Sequence, residues 1–243
     1  MEIAVITGAS SGLGYEFVRQ LPTRCKRLDE IWVIGRKKER LEALKKETDL
    51  PLRLFPYDLE NKECYRTLQQ ELIKEQPTVR FLINSAGVGK HGDFQKLSLK
   101  DVLSCIQVNC TALTAMTYLI LPFMKKNSRI LQICSAAAFL PQPGFSVYAA
   151  SKAYVYSFTK ALQKEFRKQR IYLTLVCPGP VDTEFLQKDT KGYEMPAWKK
   201  PFLSKPGEVA ALALTDSLYK KKLSLYGIGA KAVYILTRLL PLS

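Results

Sequence analysis

Tyr148 and Lys152 stand four residues apart in the stretch YAASK. If that stretch is a helix, the spacing puts both side chains on one face. A free phenol has a pKa of about 10 and is a poor acid–base catalyst at neutral pH. A neighbouring ammonium favours the phenolate and lowers that pKa. Ser135, thirteen residues earlier, adds a hydroxyl that can donate a hydrogen bond to a substrate oxygen. Singly, each has a plainer reading. A helical tyrosine usually packs, a lysine is usually solvated and a serine can cap a strand end. What places the three residues decides between these readings.

Short apolar runs alternate with helix-like segments along the whole chain. The runs are 2–7, 30–35, 51–57, 79–85, 129–135, 171–177 and 222–227. They are rich in β-branched residues and too short for helices, as expected of strands buried on both faces. The intervening segments 12–22, 37–47, 61–75, 98–126, 148–169 and 206–221 read as helices. This pattern predicts an α/β fold: one doubly wound Rossmann-type domain over 1–243 with a mostly parallel seven-stranded sheet. Pro56 leaves the end of the third strand open. In such sheets ligands bind beyond the carboxyl ends of the strands. The chemically interesting residues cluster there: Gly8–Gly14, Arg36, Asp58, Asn84–Gly87, Ser135 and Pro178–Thr183.

Composition narrows the function. With 243 residues and 47% hydrophobic content the chain can bury a large core. Its 37 basic and 22 acidic residues give a formal charge of +15, which favours anionic ligands or surfaces. The basic residues are dispersed and no nucleic-acid motif occurs, so nucleic acid is not an expected partner. The six cysteines lack metal-ligand spacing and His91 is the sole histidine, which excludes a His-rich metal site. Unpaired cysteines in apolar runs suit a reducing, cytoplasmic setting. The start MEIAVITG lacks the basic region of a signal peptide, and no uncharged run long enough to span a membrane is expected.

The first strand runs into TGASSGLG. Glycines there allow a tight turn and a close approach to a pyrophosphate at a helix N-terminus. The spacing differs from the usual dinucleotide fingerprint. It resembles the T-G-x-x-x-G-x-G loop of the short-chain dehydrogenase/reductase family at Thr7, Gly8, Gly12 and Gly14. The likeness continues through NSAG at 84–87, Asn109 in the long helix, Ser135, Tyr148, Lys152 and the PGPVDT turn at 178–183. Ser85 departs from the family's second Asn.

The resemblance implies a nicotinamide cofactor and catalysis by Asn109, Ser135, Tyr148 and Lys152. Lys152 is also implied to grip the nicotinamide ribose, and Asn109 to hold a proton-relaying water. Gly8, Gly12, Leu13 and Gly14 are expected around the pyrophosphate, and Ser10 and Ser11 of the same loop are expected to face the site offered by Arg36 and Lys37. Arg36 and Lys37 stand where NAD-using enzymes keep an acid for the ribose hydroxyl, and a guanidinium suits a 2′-phosphate, so NADP(H) is expected. Asp58 and Leu59 are implied near the adenine, although Asp58 could instead cap the helix at 61–75. Ala86 and Gly87 are small enough for close passage of the cofactor, while Asn84 either meets the cofactor or holds the bend after the fourth strand. Pro178, Gly179, Val181 and Thr183 are expected beneath the nicotinamide, with Thr183 near its carboxamide.

The expected reaction is NADPH-dependent reduction of a ketone or aldehyde, reversibly alcohol oxidation, with Tyr148 as proton donor. A polyol or hydroxy-acid dehydrogenase is the rival enzyme, and a non-catalytic NADPH-binding sensor or scaffold the rival of another class. Residues 184–205 read as a substrate loop or lid, whose aromatics and lysines suit an apolar, acyl-type substrate. His91, after the strand-four motif, is near enough to the substrate region to contact a ligand, but the plainer reading is an exposed loop histidine. The family resemblance implies a homodimer or homotetramer. Residues 222–243 read as a last strand and an apolar helix, for which dimer contact, packing on the core and membrane-surface attachment compete.

Overall fold

The computed structural model describes residues 1–188 and 202–239. Tyr193, Met195 and Trp198, expected in the substrate loop, and Leu240 of the apolar tail lie outside the described residues. Seven parallel strands form one sheet in the order β3-β2-β1-β4-β5-β6-β7. They are β1 (Glu2–Thr7), β2 (Glu30–Ile34), β3 (Leu52–Phe55), β4 (Thr78–Asn84), β5 (Met124–Ile133), β6 (Tyr172–Pro178) and β7 (Leu223–Tyr226). The expected mostly parallel sheet is wholly parallel among these strands. Strand order reverses between β1 and β4, the switch point at which such sheets open a crevice.

Helices cover both faces. They are α1 (Gly12–Arg24), α2 (Lys38–Leu44), α3 (Glu63–Glu75), α4 (Leu99–Ile106), α5 (Leu113–Ile120), α6 (Ser146–Glu165), α7 (Glu184–Lys188), α8 (Pro206–Leu218) and α9 (Ile228–Leu239). The two-residue period of β1 shows how the sequence builds two cores. Ala4 and Ile6 pack toward Phe17 of α1 and Leu214 of α8, while Ile3 and Val5 pack toward Leu68 of α3 and Met116 of α5. Burial of each large apolar side chain contributes roughly 1.5–3 kcal/mol.

Four segments depart from the sequence reading. β3 stops at Phe55, because Pro56 has no N–H for the ladder. The single helix expected over 98–126 is α4 and α5 joined by a π-helical segment, Gln107–Ala112, and its chain enters β5 at Met124. The stretch Leu99–Phe123 is long and apolar enough to cross a bilayer, contrary to expectation, yet 44% of its apolar window is buried inside the fold. The connection after β6 begins with the short helix α7 where little helical pattern was read.

Of the two roles expected for Asn84, cofactor contact or holding the bend after the fourth strand, the structure fits the second: Asn84 lies behind the sheet's end in a buried network, off the cavity wall. Its Nδ2 donates to Thr117 Oγ1 at 3.1 Å and Gln132 Oε1 at 3.0 Å. Gln132 Nε2 also donates to Thr117 Oγ1 at 3.0 Å, and Thr117 donates to the Leu113 carbonyl. The network ties β4, β5 and α5 together just below the site. Asn84 Nδ2 supplies the donor for two of its bonds, to Thr117 and Gln132. Asn84→Asp sets an acceptor against Gln132 Oε1, so it should cost roughly 1–3 kcal/mol of stability. Thermal unfolding checks this, with a fall in Tm of several degrees expected.

Candidate active site

A cavity of about 870 Å3 lies beyond the carboxyl ends of the strands. At one end its walls are the turn after β1, Arg36 after β2, and Asp58 and Leu59 after β3. At the other end are Ser135, Tyr148 and Lys152. Ser85, Ala86 and Gly87 after β4, and Pro178, Gly179, Val181 and Thr183 around the end of β6, lie between them. The parallel sheet therefore brings residues from six strand ends to one space.

The glycine turn is shaped by close backbone approach. Gly8 has φ +68°, and a Cβ there would lie 2.8 Å from backbone atoms of Ala86. A Cβ on Gly14 would meet the Gly8 carbonyl oxygen at 2.1 Å, so Gly14 lets α1 start directly against the turn. Gly14 is absent from the cavity wall and supports the turn from behind. Thr7 Oγ1 accepts from the N–H groups of Ser85 and Ala86, both at 3.1 Å, locking the β1 and β4 ends together. Gly12, with φ +56°, faces Thr183. This bare cradle at the N-terminus of α1 fits a pyrophosphate.

Beside the turn, Arg36 is exposed and reaches the cavity, whereas exposed Lys37 does not line it. Ser10 and Ser11 line the same end. A Cβ on Gly35 would lie 3.3 Å from Ser10 Oγ, so the β1 turn and the β2 end are in contact there. Asp58 does not cap α3. Its Oδ1 accepts from Glu60 N at 3.1 Å, and Asn61 Oδ1 serves Glu63 N at the start of that helix.

Asn109 sits in the π-helical segment and is fully buried. Its Oδ1 accepts from Val88 N at 2.9 Å and its Nδ2 donates to the Val88 carbonyl at 2.8 Å. Nδ2 also lies 2.9 Å from Ser151 Oγ, on α6. Asn109 thus braces the loop after β4 against the helix that carries Tyr148 and Lys152. It is not on the cavity wall. π-helical turns often occur at functional sites, where the extra residue re-aims a side chain.

Ser135 lies two residues beyond β5 and caps the 3-10 turn at 136–139, accepting from Ala137 N at 3.1 Å. Tyr148 lies in the first turn of α6 and Lys152 one turn on. The Lys152 ammonium is buried, only 4% exposed, and donates to the Ile133 carbonyl at 3.0 Å. It lies 5.5 Å from the centre of the Tyr148 ring. That ring is stacked on Phe145 at 4.3 Å and lies 5.4 Å from Phe185.

Part of Tyr148 faces the cavity, but protein surrounds it on the other sides. Desolvation raises its pKa above the ordinary phenol value, and a side-chain hydrogen bond with Ser135 acts the other way. Burial lowers the pKa of Lys152. The sequence reading expected Lys152 to dominate and depress the phenol pKa. In this structure burial is the largest influence on the phenol.

Sequence reasoning missed much of the cavity's other wall. His91 is part-buried, lines the cavity and lies 5.9 Å from the Phe145 ring, so it is not the exposed loop histidine expected. The loops carrying these two residues are joined by Gly92 N donating to Gly144 O at 2.8 Å. Gln142, Phe145, Phe202 and Val233 of α9 also line the cavity. Of these, Phe202 and Val233 fall in the expected substrate loop and apolar tail helix, while Phe145, three residues before Tyr148, carries the signal of that spacing, which places both rings at one helix start.

A model of the short chain dehydrogenase family matches residues 2–194. Nodulation protein G of Rhizobium sp. (strain N33) is 32% identical over 187 residues, 76% of this chain and 75% of that protein. Acetoacetyl-CoA reductase of Acinetobacter sp. (strain RA3849) is 30% identical over 223 residues, 88% of this chain and 89% of the relative. Among solved structures, a short-chain dehydrogenase from Sphingobium yanoikuyae in complex with NADPH superposes with a TM-score of 0.81 at 24% identity, covering 97% of this chain and 92% of its own. With the glycine turn, the sheet order and the Ser135, Tyr148 and Lys152 cluster in place, the chain is an oxidoreductase that belongs to the short-chain dehydrogenase/reductase family.

Proposed function

We propose that the protein reduces a ketone or aldehyde, reversibly oxidising the alcohol, with NADP(H) as cofactor and Tyr148 as the proton donor. The observation that carries this reading is the single cavity that joins the glycine turn and Arg36 to Ser135, Tyr148 and Lys152. The cofactor supplies the hydride. Gly8 and Gly12 leave room for the pyrophosphate, and the α1 N-terminus favours its charge. Arg36, with Ser10 and Ser11, suits a ribose 2′-phosphate, since a guanidinium binds phosphate in a fork. The Sphingobium enzyme, a fold neighbour, is in complex with NADPH.

At the reacting end, Ser135 donates a hydrogen bond to the substrate oxygen. Tyr148 passes its proton to the alkoxide that forms there. Burial raises the phenol pKa, which favours the protonated form that donation needs. Lys152 holds positive charge beside the ring as the phenolate develops, which stabilises that charge where water is scarce. Asn109 positions the loop after β4 and, through Ser151, the helix that bears both residues.

The substrate end is mostly apolar, with Phe145, Phe185, Phe202 and Val233, and carries His91 and Gln142 as polar groups. This suits a hydrophobic or acyl-type carbonyl compound, and the relative from Acinetobacter is an acetoacetyl-CoA reductase. The exposed residues Leu99, Leu103, Ile106 and Tyr118 along α4 and α5 suit packing against a second copy, as a homo-oligomer requires. The six free thiols suit a cytoplasmic setting.

Tyr148→Phe should lower kcat by at least about a hundredfold while NADPH still binds, because only the transferred proton is removed. Stopped-flow turnover together with NADPH fluorescence titration checks this, and retained turnover sinks the mechanism. Arg36→Glu should shift the NADPH-to-NADH preference in kcat/KM by roughly tenfold or more toward NADH, the scale of a lost charged hydrogen bond. Equal ratios in the two proteins, from steady-state kinetics with both cofactors, contradict the 2′-phosphate role.

A further inference from the structure

We propose that the outer face of α9 docks on an anionic lipid surface. The helix has two distinct sides. Ala230, Val233 and Tyr234 face inward, with Ala230 buried and the Tyr234 ring 5.2 Å from Phe139. On the other side Ile228, Ile235 and Leu239 recur at spacings of seven and four, a single helical stripe. They are 80%, 54% and 72% exposed, and Leu236 beside them is 52% exposed. Phe202, also exposed, packs near Gly229 and extends the patch.

The charge on α9 itself is of one sign, while Glu208 of α8 accepts from the Tyr226 hydroxyl just before the helix. Lys231 and Arg238 flank it on α9. Arg238 reaches across to the Tyr156 hydroxyl at 2.7 Å, which places it on α6. Lys160 and Lys164 of α6 and Lys222 before β7 lie close enough that Arg238, Lys222 and Lys164 act on Lys160 as like charges. Within α6, β7 and α9 the sole carboxylate is Glu165. An apolar stripe bordered by cations is the pattern that lies in a bilayer interface, with its apolar side among the acyl chains and its cations at anionic headgroups.

The same charge disfavours a second copy as the occupant. A two-fold contact places each surface against itself. Here it would bring Lys231 and Arg238 toward the same cations of the other chain, with no carboxylate on α9 to pair with them. An anionic surface is complementary where this chain is not. Docking in this way also sets the cavity margin at the lipid, since Gly229, Ala232 and Val233 of the same helix line the cavity.

Vesicle sedimentation of the full-length protein tests the proposal. The probes are phosphatidylcholine vesicles and vesicles in which about a third of the lipid is phosphatidylglycerol. Binding to the anionic vesicles is expected to exceed binding to the neutral ones by roughly tenfold or more, and to fall steeply with added salt. Leu236→Glu/Leu239→Glu should abolish binding while leaving turnover of a water-soluble carbonyl unchanged, and Lys231→Glu should weaken it severalfold. Absence of binding to anionic vesicles at low salt overturns the proposal. So does binding that is equal for the two vesicle types or unaffected by the double substitution. An oligomer that the double substitution dissociates, found by analytical ultracentrifugation, would identify a second copy as the occupant and overturn it too.

Discussion

A buried ammonium is the constraint on which the site depends. Lys152 is almost completely removed from water, and such a charge persists only where fixed polar groups replace its hydration. The Ile133 carbonyl at the end of β5 is one such group. That bond ties α6 to the end of β5. A Cβ on Gly87 would stand 3.5 Å from Lys152 Nζ and 3.4 Å from Asn109 Oδ1, so the loop after β4 passes within contact distance of both groups. Once Lys152 is fixed, Tyr148 one turn earlier is fixed as well. Phe145 and Phe185 then border its ring.

The rest of the fold serves that geometry. The parallel sheet brings its strand ends to one side, and the order reversal between β1 and β4 opens the crevice there. Glycines at 8 and 14 permit a turn that a side chain would obstruct by direct contact with backbone. Asn109 converts an irregular helical turn into a brace between two walls of the cavity. The Asn84, Thr117 and Gln132 network holds the sheet together beneath it without entering the cavity.

Much of this was legible in the sequence, for physical reasons. Short β-branched runs buried on both faces have few alternatives to a parallel strand, so the seven strands could be read from pattern alone. The positions of Ser135, Tyr148 and Lys152 at a strand end and on one helix face were readable from local pattern, while the chemistry expected of them rested on the family resemblance. Other features depend on packing that no local pattern records. Asn84 lies at a strand end beside a motif, yet its partners Thr117 and Gln132 are 33 and 48 residues away. The π-helical turn at Gln107–Ala112 leaves an apolar helical pattern nearly unchanged. His91 looked like a surface residue because its environment is made by Phe145 and Gly144, more than fifty residues on. The burial around Tyr148, which raises its pKa, is likewise made by packing that its spacing from Lys152 does not record.

The state of the Tyr148 phenol tests the account most directly. With tyrosine labelled at Cζ with carbon-13, the Tyr148 resonance can be assigned by its loss in Tyr148→Phe and followed with pH. The account predicts that, without cofactor, it keeps the chemical shift of a neutral phenol up to at least about pH 10, the ordinary phenol pKa. A phenolate shift already present near neutral pH would contradict it, because a residue that has lost its proton cannot be the donor.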